Sequence, residues 1–172
     1  MTNNLLQFSR FQTGNIEFKP VNLSIKRIIE GNLNLLRGTL VKKQLNLISK
    51  VGDVEVFADE DMLNSIIQNL LSNAIKFTNR GGEIRIFSNL SPNDDKFLQV
   101  RVEDTGIGMD EALLSRILVD HIKSSAGTEK EFGTGLGLLL VKEFVERNAG
   151  KITVKSSPNQ GSTFIFTVPL SK

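Results

Sequence analysis

The chain has 172 residues, a formal net charge of +2, 40% hydrophobic and 23% charged residues, and no cysteine, tryptophan or tyrosine. The missing cysteine excludes disulfides, thiolate metal centres and a cysteine nucleophile and fits a reducing compartment. The near-neutral charge leaves no footprint for nucleic acid, and no apolar run approaches the roughly 20 residues a membrane-spanning helix needs.

The length suits one domain with a short appendage. Residues 3–13, NNLLQFSRFQT, read as the last turns of a helix, stopped by Gly14-Asn15. IEFKPVNL alternates and reads as a short edge strand ending at Pro20. Asn22 or Ser24 is placed to cap a helix over 24–41, whose apolar positions Ile25, Ile28, Ile29, Leu33, Leu36 and Leu40 recur at three and four. LNLIS (45–49) and VEVFA (54–58) read as strands. The clearest helix covers 59–77, with Asp59, Glu60 and Asp61 crowding its first turn, where the helix dipole favours anions. EIRIFSNL (83–90) and FLQVRVED (97–104) read as paired strands. A glycine-containing loop, a short helix near 110–116 and a weakly patterned stretch lead to a helix over about 135–147. KITVKS and STFIFTVPL close the chain as two strands around SPNQG. This mixed order predicts an α+β fold, a two-layer sandwich of one mixed sheet with helices on a single face.

Three stretches carry candidate chemistry. On the 59–77 helix, Asn69, Asn73 and Lys76 share one stripe, opposite the apolar side that holds Leu63, Ile66, Leu70 and Ala74. The plain reading is a solvated face; the chemical one is a site where amide oxygens suit Mg²⁺ and an ammonium suits phosphate. In VEDTGIGMD (102–110) a strand ends in Asp104, and Gly106 and Gly108 turn the chain. A carboxylate there either caps its own loop or accepts from an exocyclic amine, with bare backbone admitting a flat ring. In FGTGLGLLLVKEF (132–144), Gly133, Gly135 and Gly137 precede a helix. Free N–H groups and the helix dipole welcome phosphate at such a place, and a flexible hinge is the alternative. Leu138 rules out the G-x-G-x-x-G fingerprint, and no G-K-[ST] follows to make a P-loop.

In this order the three stretches resemble the ATP-binding domain of sensor histidine kinases, in the superfamily that also holds gyrase B and MutL. NLLSNAIKFT is similar to the family's N box, DTGIG to its G1 box, and GTGLGLLLVKEF with the tail through VPL to its G2 box and last strands. The resemblance covers about residues 14–170 and implies the Bergerat ATP-binding fold. It implies that Asn73 holds Mg²⁺ against the phosphates, that Lys76 contacts phosphate, and that Phe77 packs near adenine. Asp104 would accept from the adenine amino group, with Gly106, Ile107, Gly108 and Met109 shaping the pocket. Gly133, Thr134, Gly135, Leu136 and Gly137 would wrap the phosphates, and Thr163 would support the Asp104 end. Asn69 stands where superfamily ATPases carry a glutamate base. An amide cannot take a proton from water, which favours phosphoryl transfer over hydrolysis.

Two departures stand out. The segment between the G1 and G2 boxes has Ile117 and Leu118 where the family shows phenylalanine, and its polar, weakly periodic sequence predicts mobility. The one histidine, His121, lies in that segment and matches no phosphoacceptor motif. The resemblance therefore implies a catalytic-domain piece of a longer kinase, with residues 1–13 as the end of a dimerisation-bundle helix and linker and 14–172 as the ATP domain. The expected cofactors are ATP and Mg²⁺. The expected partners are the parent chain's own dimerisation and phosphoacceptor domain and the receiver domain of a response regulator, in the cytoplasm. Alone, the piece is expected to be monomeric and not to phosphorylate itself. The alternative is an anti-sigma-type serine kinase of the same superfamily.

Overall fold

We describe the fold from a computed structural model, covering residues 17–118, 127–129 and 136–171. In chain order its elements are β1 (Pro20–Ser24), α1 (Ile25–Lys42), β2 (Asn46–Lys50), β3 (Glu55–Asp59), α2 (Glu60–Phe77), β4 (Glu83–Leu90), β5 (Phe97–Asp104), α3 (Glu111–Leu114), α4 (Gly137–Arg147), β6 (Ile152–Ser156) and β7 (Ser162–Pro169).

Period-two patterning builds the main sheet, in the order β2-β4-β5-β7-β6. β2 runs parallel to β4 and every other neighbour is antiparallel, so the sheet is mixed. One set of alternate residues is buried: Ile84 and Ile86 on β4, Val100 and Val102 on β5, Phe164 and Phe166 on β7. They pack with Ile25 and Ile29 of α1, Ile66 and Leu70 of α2, and Val141 and Phe144 of α4 in one core. The other set is partly solvated and carries ion pairs such as Arg101 with Glu103 at 3.0 Å. The helices thus lie on a single face, the two-layer sandwich that alternation requires when only one side of a sheet is apolar.

β1 and β3 form a separate two-stranded sheet, so the expectation of one sheet is corrected to two. β1 also begins at Pro20, where the alternation of IEFKPVNL placed its end. Pro20 stands opposite Asp59 at the end of β3, and the Lys19 N–H goes to the Asp59 carboxylate at 2.8 Å. A proline at the first residue of an edge strand gives up no ladder bond.

Asp59 organises more than this edge. Its Oδ1 accepts from the Met62 N–H at 3.0 Å and caps α2, while its own N–H donates to Asn148 Oδ1 at 2.8 Å. The start of α2 is thereby tied to the end of α4. Ser24, one of the two capping candidates, caps α1 through the Arg27 N–H.

Candidate nucleotide site

The site forms where the C-terminal turn of α2 meets the end of β5. Along α2 the exposed residues are Glu60, Asp61, Gln68 and Ser72. Asn69 and Asn73 are half-buried and Lys76 is 9% exposed. These three do share a stripe, but it flanks the core and is not the open face that helical spacing alone suggested. Asn69 Nδ2 donates to the Ser65 carbonyl at 2.8 Å. The Asn73 carboxamide makes no hydrogen bond among the described residues. The Lys76 ammonium sits 4.6 Å from the centroid of the Phe77 ring, close enough for a cation–π contact.

The last carbonyls of α2 form a ledge. Lys43, only 2% exposed, donates its ammonium to the Ile75 carbonyl at 2.8 Å and to the Lys76 carbonyl at 3.1 Å. The Thr128 N–H reaches the same Lys76 carbonyl at 3.0 Å, and its hydroxyl reaches the Thr78 carbonyl at 3.0 Å. The Ile107 N–H takes the Phe77 carbonyl at 3.1 Å. Helix ends leave such carbonyls unpaired, and here the chain after Asp104 docks on them.

Asp104 ends β5 on the helix-facing side of the sheet, opposite Ser162 of β7. Its Oδ1 accepts from the Gly106 N–H at 2.9 Å and the Ser162 N–H at 3.3 Å. Both donors converge on Oδ1, so Oδ2 has no donor among the described residues. Oδ1 thus serves the plain reading, in which the carboxylate shapes its own loop, and Oδ2 is left over for the chemical one. Burial pushes its pKa up to about 6, against the lowering effect of the Gly106 and Ser162 N–H groups.

The glycines here are set by close approach. A Cβ on Gly106 would run into the Phe77 carbonyl and lie 2.7 Å from Asp104 Oδ1. Gly108 has φ +66°, and a Cβ there would collide with the Ser157 carbonyl. Between them the Ile107 backbone is spent on both sides, its carbonyl accepting from the Asn159 N–H at 2.7 Å, while the residue is 41% exposed. Met109 packs against the core, and its N–H goes to Ser156 Oγ at 2.9 Å.

Thr163 is displaced from the place expected of it. It pairs with Glu103, and the residue opposite Asp104 is Ser162. One step along a strand changes the face, so Thr163 sides with Ile165 and Thr167, while Ser162 shares the buried side with Phe164. Ser162 and Ser156 were not singled out from sequence. The signal that would have found Ser162 is the pairing of β5 with β7, counted back from the buried phenylalanines.

Of the glycine run, Gly133, Thr134 and Gly135 lie outside the described residues, as do His121 and most of the segment expected to be mobile. Leu136 is buried and precedes α4, which starts at Gly137 with no side-chain cap on its first N–H groups.

Residues 58–172 match the family model for histidine kinase-, DNA gyrase B- and HSP90-like ATPases. The chain belongs to this family. Within it, the similarity is to sensor kinases. The autoinducer 2 sensor kinase/phosphatase LuxQ of Vibrio parahaemolyticus is 33% identical over 98% of this chain and 20% of its own length. The adaptive-response sensory kinase SasA of Crocosphaera subtropica is 37% identical over 96% of this chain and 43% of its own. The chain thus spans less than half the length of these relatives. Among solved structures, the catalytic domain of histidine kinase ThkA superposes with a TM-score of 0.75 at 26% identity, covering 90% of this chain and 97% of that one. Full-length ShkA in complex with AMPPNP gives a TM-score of 0.81 at 25% identity, over 99% of this chain and 35% of that one. The resemblance read from the three motifs is borne out: this is a sensor histidine kinase ATP-binding domain, and the anti-sigma alternative is not favoured. No helix among the described residues is long and apolar enough to cross a membrane.

Proposed function

We propose that this histidine kinase domain holds ATP with its adenine at Asp104 and its phosphates along Asn69, Asn73 and Lys76, and gives the γ-phosphate to a histidine on a separate domain. The observation that carries the reading is the half-buried Asp104 carboxylate, which among the described residues is occupied on Oδ1 alone, set beside an α2 stripe that is neither core nor solvated surface. Oδ2 suits the adenine amino group. Phe77, Gly106, Ile107, Gly108 and Met109 would border the ring. Gly133, Thr134, Gly135, Leu136 and Gly137 would close over the phosphates.

The residues present fit Mg²⁺ as a shared ligand. Among the described residues no three His, Asp or Glu side chains cluster, so none of them forms a carboxylate cage for it. The Asn73 carboxamide, which makes no hydrogen bond among the described residues, is a suitable oxygen donor, and phosphate oxygens would complete the shell. When bound, Mg²⁺ would neutralise phosphate charge.

In the transfer, an imidazole nitrogen attacks the γ-phosphorus, the bond to the β–γ bridging oxygen breaks, and ADP leaves. The imidazole proton passes to solvent. Asn69 stands where a general base would activate water and cannot serve as one, which favours the protein acceptor over hydrolysis. The partners this implies are the dimerisation and phosphoacceptor domain of the parent chain and, after it, a response regulator receiver domain, in the cytoplasm and without nucleic acid. The domain alone would be monomeric and would not label itself.

The test begins with calorimetric titration of a non-hydrolysable ATP analogue with and without Mg²⁺, beside GTP. It continues with radiolabelled ATP and a separately prepared phosphoacceptor domain. Selective, metal-assisted adenine binding and an acid-labile phosphohistidine are expected. An acid-stable phosphoserine would replace this reading with the serine-kinase one, and a folded protein that binds no nucleotide would end both.

A further inference from the structure

Ser156 ends β6 opposite Ser162 in the β6–β7 pairing. Its hydroxyl meets three groups. It accepts the Met109 N–H at 2.9 Å, donates to the Gly161 carbonyl at 2.8 Å, and lies 3.0 Å from Ser162 Oγ. A serine hydroxyl has one hydrogen and two lone pairs. The hydrogen goes to Gly161, because a carbonyl can only accept. One lone pair takes the Met109 N–H. Only a lone pair remains, so in the serine pair Ser162 is the donor.

That count decides the polarity of the neighbouring site. With its hydrogen committed to Ser156, Ser162 Oγ offers only lone pairs to anything else. Ser162 stands beside Asp104 on the same side of the sheet, with its N–H on Asp104 Oδ1. Among the described residues the Asp104 end therefore presents acceptors alone, Oδ2 of the carboxylate and Oγ of the serine. An amino group can donate to such a surface, and a ring oxo group cannot.

Resting on the adenine reading above, we propose that Ser156 is a positioning residue that sets the base preference of the site. By holding the Ser162 hydrogen and the Met109 amide, it keeps this end acceptor-only and selects a purine 6-amino group over a 6-oxo group. Ser156 acts through Ser162 and Met109 and touches no base itself. The two turns it joins come close because both have glycine at a left-handed position, Gly108 at φ +66° and Gly161 at φ +80°.

The test compares wild type, Ser156→Ala, Ser156→Thr, Ser162→Ala and the double alanine variant. Each is titrated with non-hydrolysable ATP and GTP analogues and with inorganic tripolyphosphate, and each is melted. Ser156→Ala frees the Ser162 hydroxyl to rotate and donate, so the preference for ATP over GTP should fall about tenfold, the worth of one reversed hydrogen bond. Tripolyphosphate affinity should stay as in wild type. Ser156→Thr keeps the hydroxyl and should restore the preference. The double variant should be no worse than Ser162→Ala, because the two side chains act as one unit. An unchanged ATP-to-GTP ratio in Ser156→Ala overturns the proposal, as does an equal loss for all three ligands in step with a lower Tm. Should Ser156→Ala not fold, full preference in Ser162→Ala overturns it. A wild type that does not prefer adenine defeats the adenine reading itself, before any variant is compared.

Discussion

Ile107 donates its backbone N–H to the Phe77 carbonyl over 3.1 Å. This bond fastens the loop that follows Asp104 to the end of the helix that carries Asn69, Asn73 and Lys76. Base and phosphate contacts proposed for separate motifs are thereby held at one distance from each other, and substitutions at the junction should disturb both.

Gly106→Ala is the direct test of the junction. Its Cβ would press on the Phe77 carbonyl and on Asp104 Oδ1, and forced overpacking costs about 1–3 kcal/mol. A lower Tm together with loss of nucleotide binding is expected. Gly31→Ala is the contrast, since nothing lies within 4 Å of a Cβ added there on α1. An exposed helical glycine replaced by alanine should stabilise by about 0.5–1 kcal/mol. Urea unfolding of both variants checks the pair, and equal effects would contradict the packing at Gly106.

Asp104→Ala should leave the fold intact and lower adenine-nucleotide affinity about 10- to 100-fold, the range for losing a hydrogen bond to a charged group. Calorimetry on the folded variant measures it. Unchanged affinity would remove Asp104 from the site.

The raised pKa of Asp104 gives two pH effects of opposite sense. The folded protein holds this proton up to about pH 6, and the carboxyl's ordinary value is 3.8. Between these values the folded state binds more protons than the unfolded one, so this group's contribution to stability is present below about pH 4 and is lost as pH rises through about 6. Binding runs the other way: the ionised carboxylate is the better acceptor, so adenine affinity should weaken as pH falls through about 6. Melts and titrations between pH 4 and 8, with Asp104→Asn as the non-titrating control, separate the two. A control with the same pH profile as wild type would assign both effects elsewhere.

Asn73→Ala should abolish the gain in affinity that Mg²⁺ brings while leaving metal-free binding close to wild type. Parallel titrations in Mg²⁺ and in EDTA report it. A variant that still responds to metal as wild type does would free Asn73 from the ligand role.

Lys43→Met removes a buried ammonium from the Ile75 and Lys76 carbonyls. Leaving buried acceptors short of a donor costs about 1–3 kcal/mol. The chemical denaturation midpoint should fall accordingly, and a midpoint equal to wild type would show that Thr128 and water suffice at this ledge.

What the chain determines by itself is local. Periodicity placed β4 and β5 at the bounds the structure has and placed α2 within a residue, although Asp59, read into the first turn, proves to be its cap. The glycine-flanked Asp104 and the asparagine stripe were legible as candidates because their spacing is short. Tertiary structure decided what depends on partners distant in sequence. Lys76 is counted as surface by helical spacing, yet it is buried by the flank of the same domain. Pro20 begins β1 because Asp59, far along the chain, receives it. Ser162 displaces Thr163 because strand register is a property of two strands, and a shift of one residue exchanges the faces. Turn chemistry and periodicity are written in neighbouring residues, whereas register, burial and the direction of a serine hydroxyl are settled only when remote segments pack.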